Sequence, residues 1–285
     1  MTYSASDVIC DWLDVTYAPD AFPGHDVSLY LQSLGCEALS GSTERKTVFR
    51  VGEGIITVEQ RPRWGRISAS GAALGYLRTL DAFELYLSCL AEESHTITRL
   101  DAAYDQPIDG ADSVARLRAQ YPQQCAIGRK AQGVRSYLKP RADGRETGTF
   151  YVGDRRNGDA TARVYDKAQQ LLEVQGIETG PTTRTEITVK KWYGATLRDA
   201  ARPESIFWHF AAPALLARPD GVSDWQAGWG EGWEWTAPSV VPAAALKRRV
   251  DNSADVAALV TLADAVGLYG REMLLDLLAR RIKAA

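Results

Sequence analysis

Residues 148–167 constrain the fold of this chain most, because their pattern is that of two short strands joined by a basic loop. Apolar and polar residues alternate in the first run, and the Asn157-Gly158 dipeptide is a turn signal. The second run has period two, which predicts that three side chains share one face of a strand. These three residues are Arg163, Tyr165 and Lys167.

A phenol between cations is suited to attack on a phosphodiester, since positive charge lowers its pKa and binds the phosphate. A tyrosine in a strand is also ordinary packing, and the cations beside it are an ordinary solvated face. This hairpin alone leaves both interpretations open.

Two further runs carry charges at period two. One places Arg99, Asp101, Ala103 and Asp105 on a single face. The other places Arg184, Glu186, Thr188 and Lys190 on a single face. If these strands are neighbours, Asp101 and Glu186 bring two hard oxygen ligands near Tyr165, and such ligands suit Mg²⁺ or Mn²⁺. A strand with one solvated face would show the same alternation.

Composition excludes several classes of protein. The chain has 285 residues, 45% of them apolar and 24% charged, which is typical of globular proteins with one large or two small domains. Four cysteines stand singly and three histidines lie far apart, so neither a zinc cluster nor a disulfide framework is expected. The first residues lack the basic character of a targeting peptide, and no apolar run is long enough for a membrane span. We therefore expect a cytoplasmic protein without a membrane partner.

Charge is unevenly distributed along the chain, although the net charge is only -3. The first forty residues hold acids and no Lys or Arg, whereas residues 116–167 hold a clear excess of Lys and Arg. This basic block predicts one phosphate-binding face.

Short elements follow one another in the order of an α+β protein. The first part of the chain has strand patterns at Ile9–Tyr17, Lys46–Val51, Gly54–Gln60 and Arg66–Ser70, and helix patterns at Asp26–Leu34 and Leu80–Ala91. The second part has strand patterns at Cys125–Lys130, Arg135–Lys139, Thr147–Gly153, Thr161–Tyr165 and Thr183–Lys190, and helix patterns at Asp112–Gln120 and Lys167–Gln175.

The chain is interpreted as a duplicated unit, because residues 12–17 align with residues 99–104 at an offset of 87. Each copy would be an antiparallel sheet with helices on one side, and the two together would form a saddle. The predicted regions are an N-terminal repeat at 1–94, a catalytic repeat at 95–201 and a helical, Trp-rich region at 202–285.

Helix patterns at Trp192–Ala201 and Ser205–Leu216 lead from the second region into the last. Four tryptophans lie within a Gly-rich segment at 219–242 and Trp208 precedes it, which predicts either a loop held by aromatic packing or a base-stacking platform. Two amphipathic helices within Ser253–Ile282 are expected to close the core or to form a homodimer.

Three motifs in order resemble one known family. They are Arg99-Leu-Asp101 with Asp105, Thr149–Gly153 with Arg163-Val-Tyr165-Asp-Lys167, and Arg184-Thr-Glu186-Ile-Thr-Val-Lys190. Together they resemble the replication initiation factor family, of the Rep_trans type, from rolling-circle plasmids and filamentous phages. The resemblance runs from about Arg99 to Lys191, and Gly153-Asp154-Arg155-Arg156-Asn157 departs from the Gly-Ser-Arg-x-Ser of many members.

The resemblance implies a protein that nicks the plus origin of a circular replicon, stays joined to the 5′ end through a tyrosine, and leaves a 3′-OH for the host polymerase. It implies Tyr165 as the nucleophile with Lys167 beside it. The metal ligands for Mg²⁺ or Mn²⁺ would be Asp101 and Glu186, with Asp105 as a helper. DNA contacts are expected from Arg99, Arg155, Arg156, Arg163, Arg184 and Lys190.

The expected partners are origin DNA, single-stranded or supercoiled, and a host helicase. Two alternatives remain open at this point. One is a non-catalytic nucleic-acid-binding regulator of replication on the same scaffold, and the other is a relaxase of a mobile element.

Overall fold

Eleven strands pair edge to edge in a single antiparallel sheet in the computed structural model, which describes residues 8–127, 130–154, 160–211 and 215–216. The strands are β1 Ile9–Tyr17, β2 Glu37–Ala38, β3 Lys46–Val51, β4 Gly54–Arg61, β5 Trp64–Ser70, β6 His95–Gln106, β7 Gln124–Ile127, β8 Lys130–Pro140, β9 Glu146–Val152, β10 Ala160–Asp166 and β11 Thr183–Lys190. Their order across the sheet is β2-β3-β4-β5-β1-β6-β11-β10-β9-β8-β7.

The centre of the sheet joins the two segments that align in the sequence. β1 and β6 are antiparallel neighbours, and Leu13 lies opposite Leu100. The last strand of the described residues, β11, lies between β6 and β10. The sheet is therefore continuous across residue 94, and the duplication of the sequence remains a prediction.

Seven α-helices accompany the sheet within the described residues. They are α1 Gly24–Ser33, α2 Gly71–Thr79, α3 Phe83–Ala91, α4 Gly110–Gln120, α5 Lys167–Gln175, α6 Leu197–Ala201 and α7 Glu204–Phe210. None of the described helices combines the length and the hydrophobicity needed to cross a bilayer.

The core lies between the helices and one face of the sheet. Strand residues at alternate positions, such as Leu100, Val164 and Ile187, are fully buried there with Leu74 of α2 and Leu117 of α4. Burial of such a side chain contributes roughly 1.5–3 kcal/mol. Because side chains alternate along a strand, the residues between them point to the opposite face.

Most strand patterns are confirmed, and the differences concern helices. The sequence analysis missed α2, since Gly71 and Gly75 suggest interruptions rather than a helix. α1 begins at Gly24, so Asp26 lies in its first turn and does not cap it. The predicted helix Trp192–Ala201 is shorter than expected, because Gly194 adopts a left-handed conformation with φ 61° and a capping box starts α6 at Leu197. The predicted helices Leu80–Ala91 and Ser205–Leu216 are also shorter, as α3 and α7.

Lys167 was expected on the strand of Tyr165, and this prediction is wrong. β10 ends at Asp166, whose carboxylate accepts a hydrogen bond of 3.0 Å from the backbone N–H of Gln169 and thereby caps α5. Lys167 is the first residue of that helix. The Asn157-Gly158 turn, Arg155, Arg156, the Trp-rich segment and the helices within 253–282 lie outside the described residues.

Candidate active site

The three charged runs of the sequence become the neighbouring strands β6, β11 and β10. Glu186 lies opposite Ala103 on one side and Arg163 on the other, and Arg184 lies opposite Asp105 and Tyr165. Strand register therefore places the predicted site residues on one face, away from the core. We call this side of β6, β11, β10, β9 and β8 the polar face.

Tyr165 is buried within this face, with 7% of its surface exposed. Its hydroxyl donates a hydrogen bond of 2.6 Å to Oε1 of Glu186. Burial and the Glu186 carboxylate raise the pKa of Tyr165 well above its ordinary value, although Arg184 and Arg163 act in the opposite direction. The flanking cations were expected to lower this pKa, and here burial outweighs them.

Glu186 is fully buried and has two donors. Besides the Tyr165 hydroxyl, the guanidinium of Arg163 donates to its other oxygen, Oε2. Burial raises the pKa of Glu186, while the positive charge of Arg163 lowers it and the negative charge of Asp11 adds to the rise. A buried carboxylate of this kind takes up a proton more readily than one in water.

Asp101 is fully buried on the same face and is held by one arginine. Arg99 Nε donates to its Oδ1 at 2.9 Å, and Arg99 Nη2 pairs with its Oδ2. The Arg99 guanidinium also lies over the ring of Trp12, 4.7 Å from the ring centroid. Asp101 thus forms an ion pair with Arg99 on β6, beside the neighbouring strand β1.

Arg184 connects three strands at the other end of the site. Its Nε and Nη2 donate to the two carboxylate oxygens of Asp105, each at 2.6 Å, and its Nη1 donates to Asp11 Oδ1 at 2.8 Å. Burial lowers the pKa of Lys167, and the positive charge of Arg184 lowers it further. Its Nζ donates to Gln170 Oε1 at 2.9 Å.

The sequence analysis did not identify Asp11 as a site residue. The register of β1 against β6 shifts between Cys10 and Trp12, so Asp11 is the extra residue of a β-bulge. One signal was present, because Asp11 interrupts the apolar positions Leu13 and Val15 at period two. The chain of α2 passes so close that a Cβ at Gly71 would lie 2.2 Å from Asp11 Oδ1.

A pocket of about 130 Å³ opens on the polar face beside Arg163. Its polar lining comes from Arg99, Tyr151, Thr161, Arg163, Thr188 and Lys190. Three of these side chains are cationic and three carry a hydroxyl, so the pocket has the composition of a phosphate-binding site.

Asp101, Asp105 and Glu186 offer the hard oxygens that Mg²⁺ or Mn²⁺ prefers. Arginines already hold these oxygens in all three carboxylates. Within the described residues no three His, Cys, Asp or Glu side chains are grouped so that they could share an ion. In this arrangement the set does not fit a metal, and an ion could enter only if an arginine released its carboxylate.

The geometry brings together a phenol, a carboxylate and cations. The Tyr165 hydroxyl already points its proton at Glu186, and the guanidinium carbon of Arg163 lies 5.4 Å from the centroid of the tyrosine ring. Such a group can transfer a proton from a phenol as the phenol attacks an electrophile.

The central part of this chain matches the model of one known family. Residues 95–199 match the family model described as replication initiation factor, Rep_trans. The resemblance expected from the motifs is confirmed over this segment. The matched residues 95–199 include Asp101, Tyr165 and Glu186, whereas Asp11 lies outside them.

No curated protein matches the chain. Among solved structures, the rolling circle replication initiator protein from Geobacillus stearothermophilus aligns at 18% identity and a TM-score of 0.47, covering 76% of this chain and 89% of that chain. The di-domain ARO/CYC BexL from the BE-7585A biosynthetic pathway aligns at 14% identity and a TM-score of 0.19, covering 73% of this chain and 99% of that chain. At these TM-scores neither likeness bears on the fold or the function.

Proposed function

We propose that this protein initiates rolling-circle DNA replication by nicking and rejoining one strand at an origin, with Tyr165 as the nucleophile. The observation that carries the proposal is the 2.6 Å hydrogen bond from the Tyr165 hydroxyl to the buried carboxylate of Glu186. Region 95–201 would be the catalytic unit, and rolling-circle initiators are in general nicking and joining endonucleases.

In the proposed step, the Tyr165 oxygen attacks the phosphorus of a phosphodiester and passes its proton to Glu186. The bond from phosphorus to the 3′ oxygen breaks, and that oxygen takes up a proton to become a 3′-OH. The 5′ phosphate remains on the tyrosine, and the reverse reaction rejoins the strand. The raised pKa of Glu186 favours it as the proton acceptor.

Arginines would stabilise the negative charge that develops on the phosphate oxygens. Arg163 and Arg184 flank Tyr165 and are the closest candidates. Arg99 and Lys190 line the adjoining pocket and would contact a neighbouring phosphate. Arg155 and Arg156 remain predicted phosphate contacts.

A divalent metal ion is generally needed by this family. Mg²⁺ or Mn²⁺ remains the proposed cofactor. Asp101 and Glu186, with Asp105 as a helper, would become its ligands only after their arginines had released these carboxylates. None of the steps above passes through the ion, because arginines hold these carboxylates. Calorimetric titration with Mn²⁺ tests the assignment, since Asp101→Asn should weaken the affinity if Asp101 is a ligand. An unchanged affinity would leave Asp101 as the partner of Arg99 alone.

The remaining parts of the proposal concern partners. Origin DNA is the substrate, the host polymerase would extend the 3′-OH, and a host helicase would unwind the duplex. We also propose that the protein comes from a phage or plasmid and that it forms a homodimer through its C-terminal region. A relaxase of a mobile element would use the same chemistry on a different DNA site.

The test is incubation of the protein with supercoiled replicon DNA and Mg²⁺, followed by detection of open circles with protein attached. Tyr165→Phe should abolish the covalent adduct and leave the fold and DNA binding intact, because one hydroxyl is lost and little packing. Tyr76→Phe, which removes a hydroxyl from α2 instead, is the matched control and should form adduct normally. Adduct formation by Tyr165→Phe would show that Tyr165 is not the nucleophile. Absence of adduct in the parent would favour a non-catalytic regulator.

A further inference from the structure

An exposed tyrosine stands on the polar face, two strands away from Tyr165. Tyr137 on β8 exposes 65% of its surface. Its ring meets that of Tyr151 on β9 in an edge-to-face contact, with centroids 5.6 Å apart and an interplanar angle of 84°.

Strand register relates this pair to the candidate active site. Tyr165 lies opposite Thr149, and Thr149 lies opposite Tyr137, so the two tyrosines occupy one row across β10, β9 and β8. Two strand spacings separate their backbones by roughly 10 Å. The next row contains Arg163, Tyr151 and Arg135 in the same order.

Packing of the core does not explain Tyr137. On β8 the residues that pack against the buried core are Val134 and Leu138. Tyr137 is not part of that core, and Thr149 in the middle of its row is small. The ring can therefore be covered by a ligand without any change in the fold.

Charge on this part of the face favours a polyanion. Arg135 is exposed in the adjoining row, and the pocket lined by Arg99, Arg163 and Lys190 also contains Tyr151. An aromatic ring between cations is the arrangement with which proteins hold single-stranded nucleic acid, because unpaired bases stack on the ring while cations contact the phosphates.

We propose that Tyr137 and Tyr151 form a stacking site for unpaired bases of the DNA strand next to the phosphate attacked by Tyr165. This inference rests on the proposed function and adds the residues that would hold the unpaired bases beside the nick. Duplex DNA would not suffice, because its bases are already stacked on each other.

The test measures the affinity of the full chain for a labelled single-stranded oligonucleotide and for its duplex, in the Tyr165→Phe background so that no adduct forms. Tyr137→Ala should weaken single-strand binding about 5- to 150-fold, and Tyr137→Phe should restore it. Duplex affinity should change little. Tyr76→Ala, which removes a tyrosine from α2 instead, is the matched control and should bind as the parent does.

Salt dependence separates stacking from phosphate contact. Tyr137→Ala should keep the slope of log affinity against log salt, whereas Arg135→Ala should reduce it by about 0.7. Unchanged single-strand affinity in Tyr137→Ala would overturn the stacking site and leave the ring as a surface for a protein partner. An equal loss for duplex would overturn it as well. Because these are binding measurements, they fail separately from the nicking test of Tyr165.

Discussion

At the scale of single residues, Glu186 is the proposed proton acceptor. It accepts the Tyr165 proton in the hydrogen bond and raises the pKa of that phenol. Glu186→Gln keeps the shape but removes the charge, so adduct formation should fall about 10²- to 10⁴-fold. The pKa of Tyr165 should fall at the same time. Ultraviolet titration of phenolate in Glu186→Gln, compared with Glu186→Gln combined with Tyr165→Phe, measures this shift.

Glu59 provides the matched control for this change. Like Glu186, Glu59 is buried, but it lies on β4. Two arginines donate to its carboxylate, Arg61 Nε at 2.8 Å and Arg66 Nη2 at 3.0 Å. Glu59→Gln should form adduct at the rate of the parent. A Glu186→Gln protein that forms adduct at the parental rate would exclude Glu186 as the proton acceptor.

At the scale of elements, the bulge of β1 carries a positioning residue. Asp11 Oδ1 accepts a hydrogen bond of 2.8 Å from Arg184 Nη1. Asp11 lies on β1, outside the matched residues 95–199, whereas Arg184 lies within them. Asp11→Ala should lower the rate of adduct formation about 10-fold, because Arg184 loses one of its two carboxylates and is less well fixed beside Tyr165. Single-strand affinity should stay near that of the parent.

Asp11→Asn keeps an oxygen acceptor for Arg184 and should recover part of the rate. Asp26→Ala removes an exposed acid from the first turn of α1 and should have no effect on adduct formation. Equal rates in Asp11→Ala and the parent would reduce Asp11 to a structural contact. Denaturant unfolding of each variant separates a loss of rate from a loss of fold.

The elements themselves were largely predictable, because alternation of apolar residues and Gly or Pro punctuation are local signals. The bounds of β1, β3 and β11 agree with the sequence patterns. α2 was missed because its glycines oppose a helix locally, while Leu74 and Leu77 bury against the sheet and favour it. Tertiary packing outweighs intrinsic propensity at such a place.

Which partners meet within the site was less predictable. Period two placed Asp101, Tyr165 and Glu186 on strand faces, but it does not say which arginine binds which acid. Asp11 was missed because a bulge reverses the side to which a residue points, and the one local signal was an acid at an apolar position of the strand pattern. Its partner Arg184 is 173 residues away in the chain.

At the scale of the whole molecule, buried thiols and phenols set the response to alkali. Burial raises the pKa of Cys10 to about 12 and that of Cys125 to about 11. Burial also raises the pKa of Tyr86 and Tyr165. In the unfolded chain these groups ionise at their ordinary values, about 8.5 for Cys and 10 for Tyr.

The sign of the effect follows from these directions. A group whose folded-state pKa is raised stabilises the fold below the unfolded pKa, and this contribution is lost as pH rises toward the folded pKa. The free energy of unfolding should therefore decrease above pH of about 8.5, by up to roughly 1.4 kcal/mol per pH unit for each fully buried thiol. Urea unfolding at a series of pH values measures it.

Cys10→Ala should make this decrease shallower, because one of the buried thiols is gone. A free energy of unfolding that stays constant between neutral pH and pH of about 10 would contradict the assignment of these groups as buried and protonated.

The pairing of Asp11 with Arg184 also has a consequence for biosynthesis. A ribosome adding roughly 5 to 20 residues per second needs about 9 to 35 seconds to travel from Asp11 to Arg184. During that interval β11 does not yet exist, so β6 and β10 have no common neighbour and Tyr165 has no Glu186. Under the proposed mechanism the growing polypeptide could not yet cleave DNA, because Glu186 is added only with β11.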